Sequence, residues 1–177
     1  MTWLRKYVLA ALAIAIVVHL GIVFGTPRLL MHTAMERIGH GRFNQWSLGE
    51  RVTAASRTIV RPSPDFAYAA CPYDLSQGPV MLHVAPWDQY WSLSIYADNS
   101  DNFYTLNDRE TQGVADVALI QRGARPPETQ AHVVESPSTR GIALIRRLAP
   151  TAEAYAAAAH ASRDDICARL ATLAANH

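Results

Sequence analysis

The clearest pattern in the chain is a strict alternation at residues 90–97. Trp91, Leu93, Ile95 and Ala97 are apolar, and Tyr90, Ser92, Ser94 and Tyr96 between them are polar or mixed. Successive side chains of a strand point to opposite faces, so this segment predicts a strand with one buried side and one open side. Residues 80–85 are rich in apolar and β-branched side chains and predict a second strand. Pro86-Trp87-Asp88-Gln89 between them has the length of a hairpin loop, so the two strands are expected to pair as a central hairpin. Ser76-Gln77-Gly78-Pro79 reads as the turn that leads into it.

Further strands are expected at 58–60, 66–70, 114–121, 132–135 and 141–148, with proline-rich loops at 61–65 and 122–130. In the last strand, at least one of Arg146 and Arg147 should face outward, solvated or ion-paired. Residues 150–173 are alanine-rich and read as helix, with a break near Ser162. There a second helix would begin, with Asp164 and Asp165 at its positive dipole end.

The N-terminal pattern is of another kind. Residues 8–24 carry no formal charge, and with Tyr7 and Gly25 the run reaches 19 residues, close to the ~20 that cross a bilayer core. Arg5 and Lys6 precede it, and Trp3 and Tyr7 stand where interfacial aromatics stand. This reads as an uncleaved transmembrane signal anchor with a short cytoplasmic tail; the alternative is a cleaved signal peptide, for which the run is long and no clear A-x-A site follows. Leu30, Met31, Ala34, Met35 and Ile38 then recur at helical spacing, and Gly39 and Gly41 suit a helix end. The expected organisation is tail and anchor over 1–27, juxtamembrane helix and linker over 28–60, and an extracytoplasmic β-domain with C-terminal helices over 61–177. The fold class is α+β: a transmembrane helix, a mostly antiparallel sheet or sandwich-like domain, and helices at the C-terminal end.

Composition narrows this picture. A chain of 177 residues with 50% hydrophobic residues holds one domain and an anchor. A net charge of +1 gives no basic footprint for nucleic acid. Residues 28–61 hold six Arg and two acidic residues, spread as on a solvated surface rather than clustered as for anionic lipid. The two cysteines, Cys71 and Cys167, lack any metal-type spacing. Both fall in the part expected outside the cytoplasm, where disulfides persist, so they are expected to bond and to hold the last helix against the sheet.

Four stretches carry a resemblance: Arg61-Pro62-Ser63-Pro64-Asp65-Phe66-Ala67-Tyr68, Tyr73-Asp74-Leu75-Ser76-Gln77-Gly78-Pro79-Val80, Tyr90-Trp91-Ser92-Leu93 and Asp101-Asn102-Phe103. Together they resemble the domain-of-unknown-function 1254 family over residues 42–148. Larger members carry a second β-domain of the 1214 type, and this chain is similar to the short, membrane-anchored form without it. The resemblance implies that a separate chain supplies the complementary β-domain. It implies no activity and no catalytic residues.

Candidate chemistry is sparse. Asp98, Asp101, Asn102 and Asp108 gather oxygen atoms that suit Ca²⁺, yet the full D-x-[DN]-x-[DN]-G pattern is missing and such residues are ordinary turn formers. No metal site is assigned. Trp87, Tyr90, Tyr96, Phe103 and Tyr104 offer a stacking platform for a sugar or planar ligand, or simply core and cross-strand packing. The ligand-binding candidates are Tyr90, Tyr96, Asp98, Asp101 and Asn102. His83 and His132 belong to no G-x-S-x-G or H-E-x-x-H motif, so no catalytic residue or cofactor is assigned. The expected function is a single-pass protein of the inner (plasma) membrane with a periplasmic domain, serving as a non-catalytic scaffold or partner-binding module. Its partners are the bilayer and the complementary chain. The alternative is an envelope enzyme or small-ligand module using the aromatic and acidic loops.

Overall fold

The computed structural model describes residues 2–53, 56, 62–111 and 115–174. The expected strand at 58–60 lies outside them. The element order is α1 (Thr2–Gly39), β1 (Ser47–Leu48), β2 (Phe66–Asp74), β3 (Val80–Val84), β4 (Trp91–Ala97), β5 (Asn102–Asn107), β6 (Ala115–Gln121), β7 (His132–Ser136), β8 (Arg140–Leu148), α2 (Ala152–Ala161), β9 (Ile166–Arg169) and α3 (Leu170–Ala174). The strands form a five-stranded sheet, β1-β2-β8-β4-β5, and a four-stranded sheet, β7-β6-β3-β9. The α+β class holds, and all pairings are antiparallel except β6 with β7.

Apolar side chains from facing sides of the two sheets make the core: Cys71, Tyr73, Trp91, Leu93, Ile95 and Ile145 from one, Val80, Leu82, Val84, Val117 and Leu119 from the other. Alternation along each strand delivers this inward set. Over part of β4, however, the alternation misleads. Ser92 and Ser94 are 1% and 3% exposed, not open to solvent. On their face of the sheet, Ala70, Ile142, Leu144 and Tyr96 are covered by Met31, Ala34 and Met35 of α1. Ser94 lies beside Leu144 of that patch, and the Ser92 hydroxyl accepts from Arg146 Nε at 3.2 Å.

Residues 80–97 are also not a hairpin. β3 belongs to one sheet and β4 to the other, so the loop between them is a corner that crosses the core. β4 finds its ladder partners in β8 and β5, a strand the sequence pattern did not reveal. A four-residue loop fits either geometry; burial of both faces of β4 decides for the central position.

α1 runs unbroken to Gly39 through Pro27, where two separate helices were expected. One proline removes a single i→i−4 bond, and packing of the final turns on the sheet holds the continuation. The helix is long and apolar enough to span a membrane, and its apolar stretch is wholly outside the fold.

The C-terminal segment departs furthest from expectation. α2 starts at an N-cap Thr151, whose hydroxyl accepts from the Ala154 amide, and ends at Ser162 as expected. No helix begins at Asp164. Residues 166–169 instead form β9, paired with β3 from Val80↔Arg169 to His83↔Ile166. The Cys71–Cys167 disulfide is present, with Cα atoms 6.6 Å apart. It joins β2 to β9, and so one sheet to the other, rather than a helix to a sheet. Asp165 does not serve a helix dipole; its carboxylate binds Arg147, which is 1% exposed and far from a solvated surface residue.

Candidate functional site

The globular part carries an open depression of about 350 Å³ beside the Asp74-Leu75-Ser76-Gln77-Gly78-Pro79 turn. Phe43, Asn44, Asp74, Ser76, Gln77, Ala168 and Arg169 line it. Three local devices shape this wall. Asn44 takes the left-handed conformation that asparagine tolerates. Its amide brackets Asp74, accepting from the Asp74 N–H at 2.8 Å and donating to the Asp74 carbonyl at 3.1 Å. The Asp74 carboxylate accepts from the Ser76 amide at 2.8 Å and from Arg140 Nε at 2.7 Å. Arg140 in turn lies over the Phe43 ring, 5.0 Å from its centre.

Burial raises the Asp74 carboxyl pKa, but the Ser76 hydrogen bonds and the Arg140 charge outweigh it, so the group stays below its ordinary value. A carboxyl depressed in the folded state contributes stability above its unfolded pKa of about 3.9 and loses it as pH falls through the lower folded value. In detergent, the urea midpoint of the protein should therefore fall between pH 5 and pH 3, and Asp74→Asn should flatten that fall. Equal pH slopes for the two proteins would show that Asp74 does not contribute.

Beside this wall the Tyr73 hydroxyl reaches across Gly141 to the Tyr96 carbonyl, 3.0 Å away, and lies 3.0 Å from Ser136 Oγ. A Cβ at Gly141 would collide with both the Tyr96 carbonyl and the Tyr73 hydroxyl, so this crossing requires glycine. Burial pushes the Tyr73 phenol above its ordinary range, so it stays a neutral structural hydroxyl.

Of the residues picked from sequence, Tyr96, Asp98, Asp101 and Asn102 come together at the β4–β5 hairpin, and Tyr90 stands at the far end of β4. Tyr96 packs in the cluster under α1, while Tyr90 meets Phe66 edge-on at 6.0 Å. The polar groups of the hairpin turn are spent on the turn and on its neighbours: Asn99 Nδ2 donates to Asp101 at 2.5 Å, and the Asp98 amide donates to Ser138 Oγ, between β7 and β8, at 3.1 Å. Asn102 accepts from Thr105 Oγ1 at 3.0 Å. The Ser100 hydroxyl donates to the Pro27 carbonyl of α1, also at 3.0 Å.

Two groupings went unrecognised in the sequence. His83 Nδ1 and Asp116 Oδ1 sit 2.7 Å apart on the outer face of the four-stranded sheet, brought together by the His83↔Asp116 register. Only strand pairing could reveal them. Arg147, Asp165, Ser162 and Ala85 form the buried polar knot described below. Among the described residues, no three His, Cys, Asp or Glu side chains gather as metal ligands. No nucleophile is in hydrogen-bond contact with the His83–Asp116 pair among the bonds of the described residues.

The family model described as "Protein of unknown function (DUF1254)" matches residues 43–169. No curated protein matches the sequence. Among solved structures, the VPA0106 protein from Vibrio parahaemolyticus superposes with a TM-score of 0.66 at 16% identity, over 86% of this chain and 36% of that one. An uncharacterized protein from Burkholderia cenocepacia gives a TM-score of 0.48 at 13% identity, over 64% of this chain and 33% of that one. The likeness to the Vibrio protein is one of fold, and this chain spans little more than a third of its length.

Proposed function

The chain belongs to the DUF1254 family, and from that premise we propose that it is a membrane-anchored, non-catalytic partner-binding module. In this reading α1 crosses the inner (plasma) membrane, the sandwich stands in the periplasm, and a separate chain contributes a complementary β-domain. The observation that carries it is the division of labour within α1. Its apolar turns are wholly exposed, while Met31, Ala34 and Met35 are core residues of the domain. One rigid element is thus both membrane segment and part of the fold. The disulfide supports placement in an oxidising compartment.

A reporter active only outside the cytoplasm, fused after His177, is expected to work, and the tagged protein should bring a second β-rich chain out of detergent-solubilised membranes. A reporter active only in the cytoplasm refutes the orientation; a protein that purifies alone refutes the partner. The ligand-binding alternative draws on the gathering of Tyr96, Asp98, Asp101 and Asn102 at one turn. Saturable binding of a soluble sugar, lost on Asp98→Ala with Asp101→Ala, would favour it over the scaffold.

A further inference from the structure

The contacts of α1 fix how the sandwich sits over the bilayer. Pro27 is bonded to Ser100 in the β4–β5 turn, and twelve residues later Gly39 backs onto Pro72 of β2. Pro72, Ile142, Tyr96 and Asn102 form one row across β2, β8, β4 and β5. Helix rise makes the distance from Pro27 to Gly39 about 18 Å. Three strand spacings of about 4.8 Å cover most of it; the offset of the turn beyond the row supplies the rest. The helix therefore crosses the strands steeply, from the β5 side at its membrane end to the β2 side at Gly39. The strand order of the five-stranded sheet thus runs away from the membrane, and β5 with the β4–β5 turn lies lowest.

The level can be estimated. The apolar run ends at Gly25, two residues before Pro27, or about 3 Å along the axis. Each headgroup layer is about 5–8 Å deep. We infer that the corner made by the β4–β5 turn and the first residues of β5 seats in the lipid headgroup layer of the bilayer that α1 crosses, capping the open edge of the five-stranded sheet. This rests on the anchoring reading above.

The chemistry of β5 fits that seat. Among the described residues only β4 pairs with it, and its other edge carries no strand. Open edges facing water are usually guarded by charge, proline or a bulge that bends them away. Asn102–Asn107 (NFYTLN) contains no charge and no proline. Its one guard of that kind is a bulge near its start. Phe103 and Tyr104 are half-buried against the core, with Tyr104 stacked on His132, and the level derived above puts them at the height where interfacial aromatics are favoured. Asp98 and Asp101 flank the turn, where the ammonium groups of zwitterionic headgroups complement them.

The test uses the full chain in phosphatidylcholine vesicles with a fluorescent label on one added thiol, since both native cysteines are bonded. Labels at Asn99→Cys in the turn and at Ser47→Cys, in β1 at the opposite edge of the five-stranded sheet, are compared with nitroxide placed on the lipid headgroups. A label at Leu12→Cys is compared with nitroxide on the acyl chains. Several-fold stronger quenching at position 99 than at 47 is expected, with strong quenching at 12. Quenching at 12 with none in excess at 99 overturns the seating and leaves the anchor standing. No quenching at 12 removes both. A label at 99 shielded from lipid nitroxide and from a water-soluble quencher alike shows protein covering the corner, which also overturns the proposal.

Discussion

Asp165→Asn is expected to destabilise the protein by about 3–5 kcal/mol, as removal of one partner of a buried ion pair does. Arg147 extends from β8 into the end of the sandwich. Its side chain is 1% exposed and that of Asp165 has no exposed surface. The pairing is two-pronged, with Nη1 to Oδ2 at 2.8 Å and Nη2 to Oδ1 at 2.6 Å. Nη1 also donates to Ser162 Oγ and Nη2 to the Ala85 carbonyl, while the Ala85 amide donates back to Asp165 Oδ1. The knot ties β8, the end of β3 and the segment between α2 and β9 together. Arg147 Nε already lacks a partner, so the guanidinium has no reserve when the carboxylate charge goes. Urea unfolding in detergent, followed by tryptophan fluorescence, measures the loss; a change under about 1 kcal/mol would be incompatible with a buried, isolated pair. Replacing both partners, Arg147→Met with Asp165→Leu, should recover only part of the loss: no charge is left buried, but the Ala85 amide and carbonyl lose their partners.

The second large effect belongs to the disulfide. With a sequence separation of 96, the chain-entropy model assigns the cross-link on the order of 4–5 kcal/mol. The structural setting says where the loss will appear. β9 has four residues, sits at the edge of its sheet and, among the described residues, pairs only with β3. Without the bond to Cys71 it should open first, since short edge elements lie at the low end of local stability. Cys71→Ala with Cys167→Ala is expected to lower the urea midpoint and to speed amide exchange at residues 166–169 before that in β2 or β8. Two free thiols in the denatured, unreduced protein, purified from an oxidising compartment, would refute the bond. Uniform acceleration of exchange across both sheets would refute the local role of β9.

Much of this protein could be read from local pattern. The uncharged run at 8–24 is long enough for a membrane whatever follows it, because span length depends on bilayer thickness alone. Strands at 80–84, 91–97, 115–121, 132–136 and 140–148 announced themselves through alternation and β-branched content. The cysteine pairing needed only the count and the compartment. The turn at residues 76–79 was legible, but nothing local marked the depression beside it, whose lining includes none of Tyr90, Tyr96, Asp98, Asp101 and Asn102, or showed that Asn44 and Arg140 would close on Asp74.

The rest was decided by which strands meet. Alternation is the same for a hairpin and for two strands in opposite sheets, so the corner at residues 86–89 was not legible. Ser92 and Ser94 look like solvent-facing residues, yet in the sheet both are buried, one bonded to Arg146 and the other beside Leu144. Residues 163–173 favour helix by composition. The pairing of 166–169 with β3, the bond to Cys71 and the burial of Asp165 against Arg147 together outweigh that weak preference. Arg147 itself sits beside an exposed-looking Arg146 in a strand; only the position of β8 between β2 and β4, with α2 and β9 closing its end, turns its guanidinium inward. Local periodicity specifies what each segment can become. Long-range pairing, which buries a group on one side or both, specifies what it does.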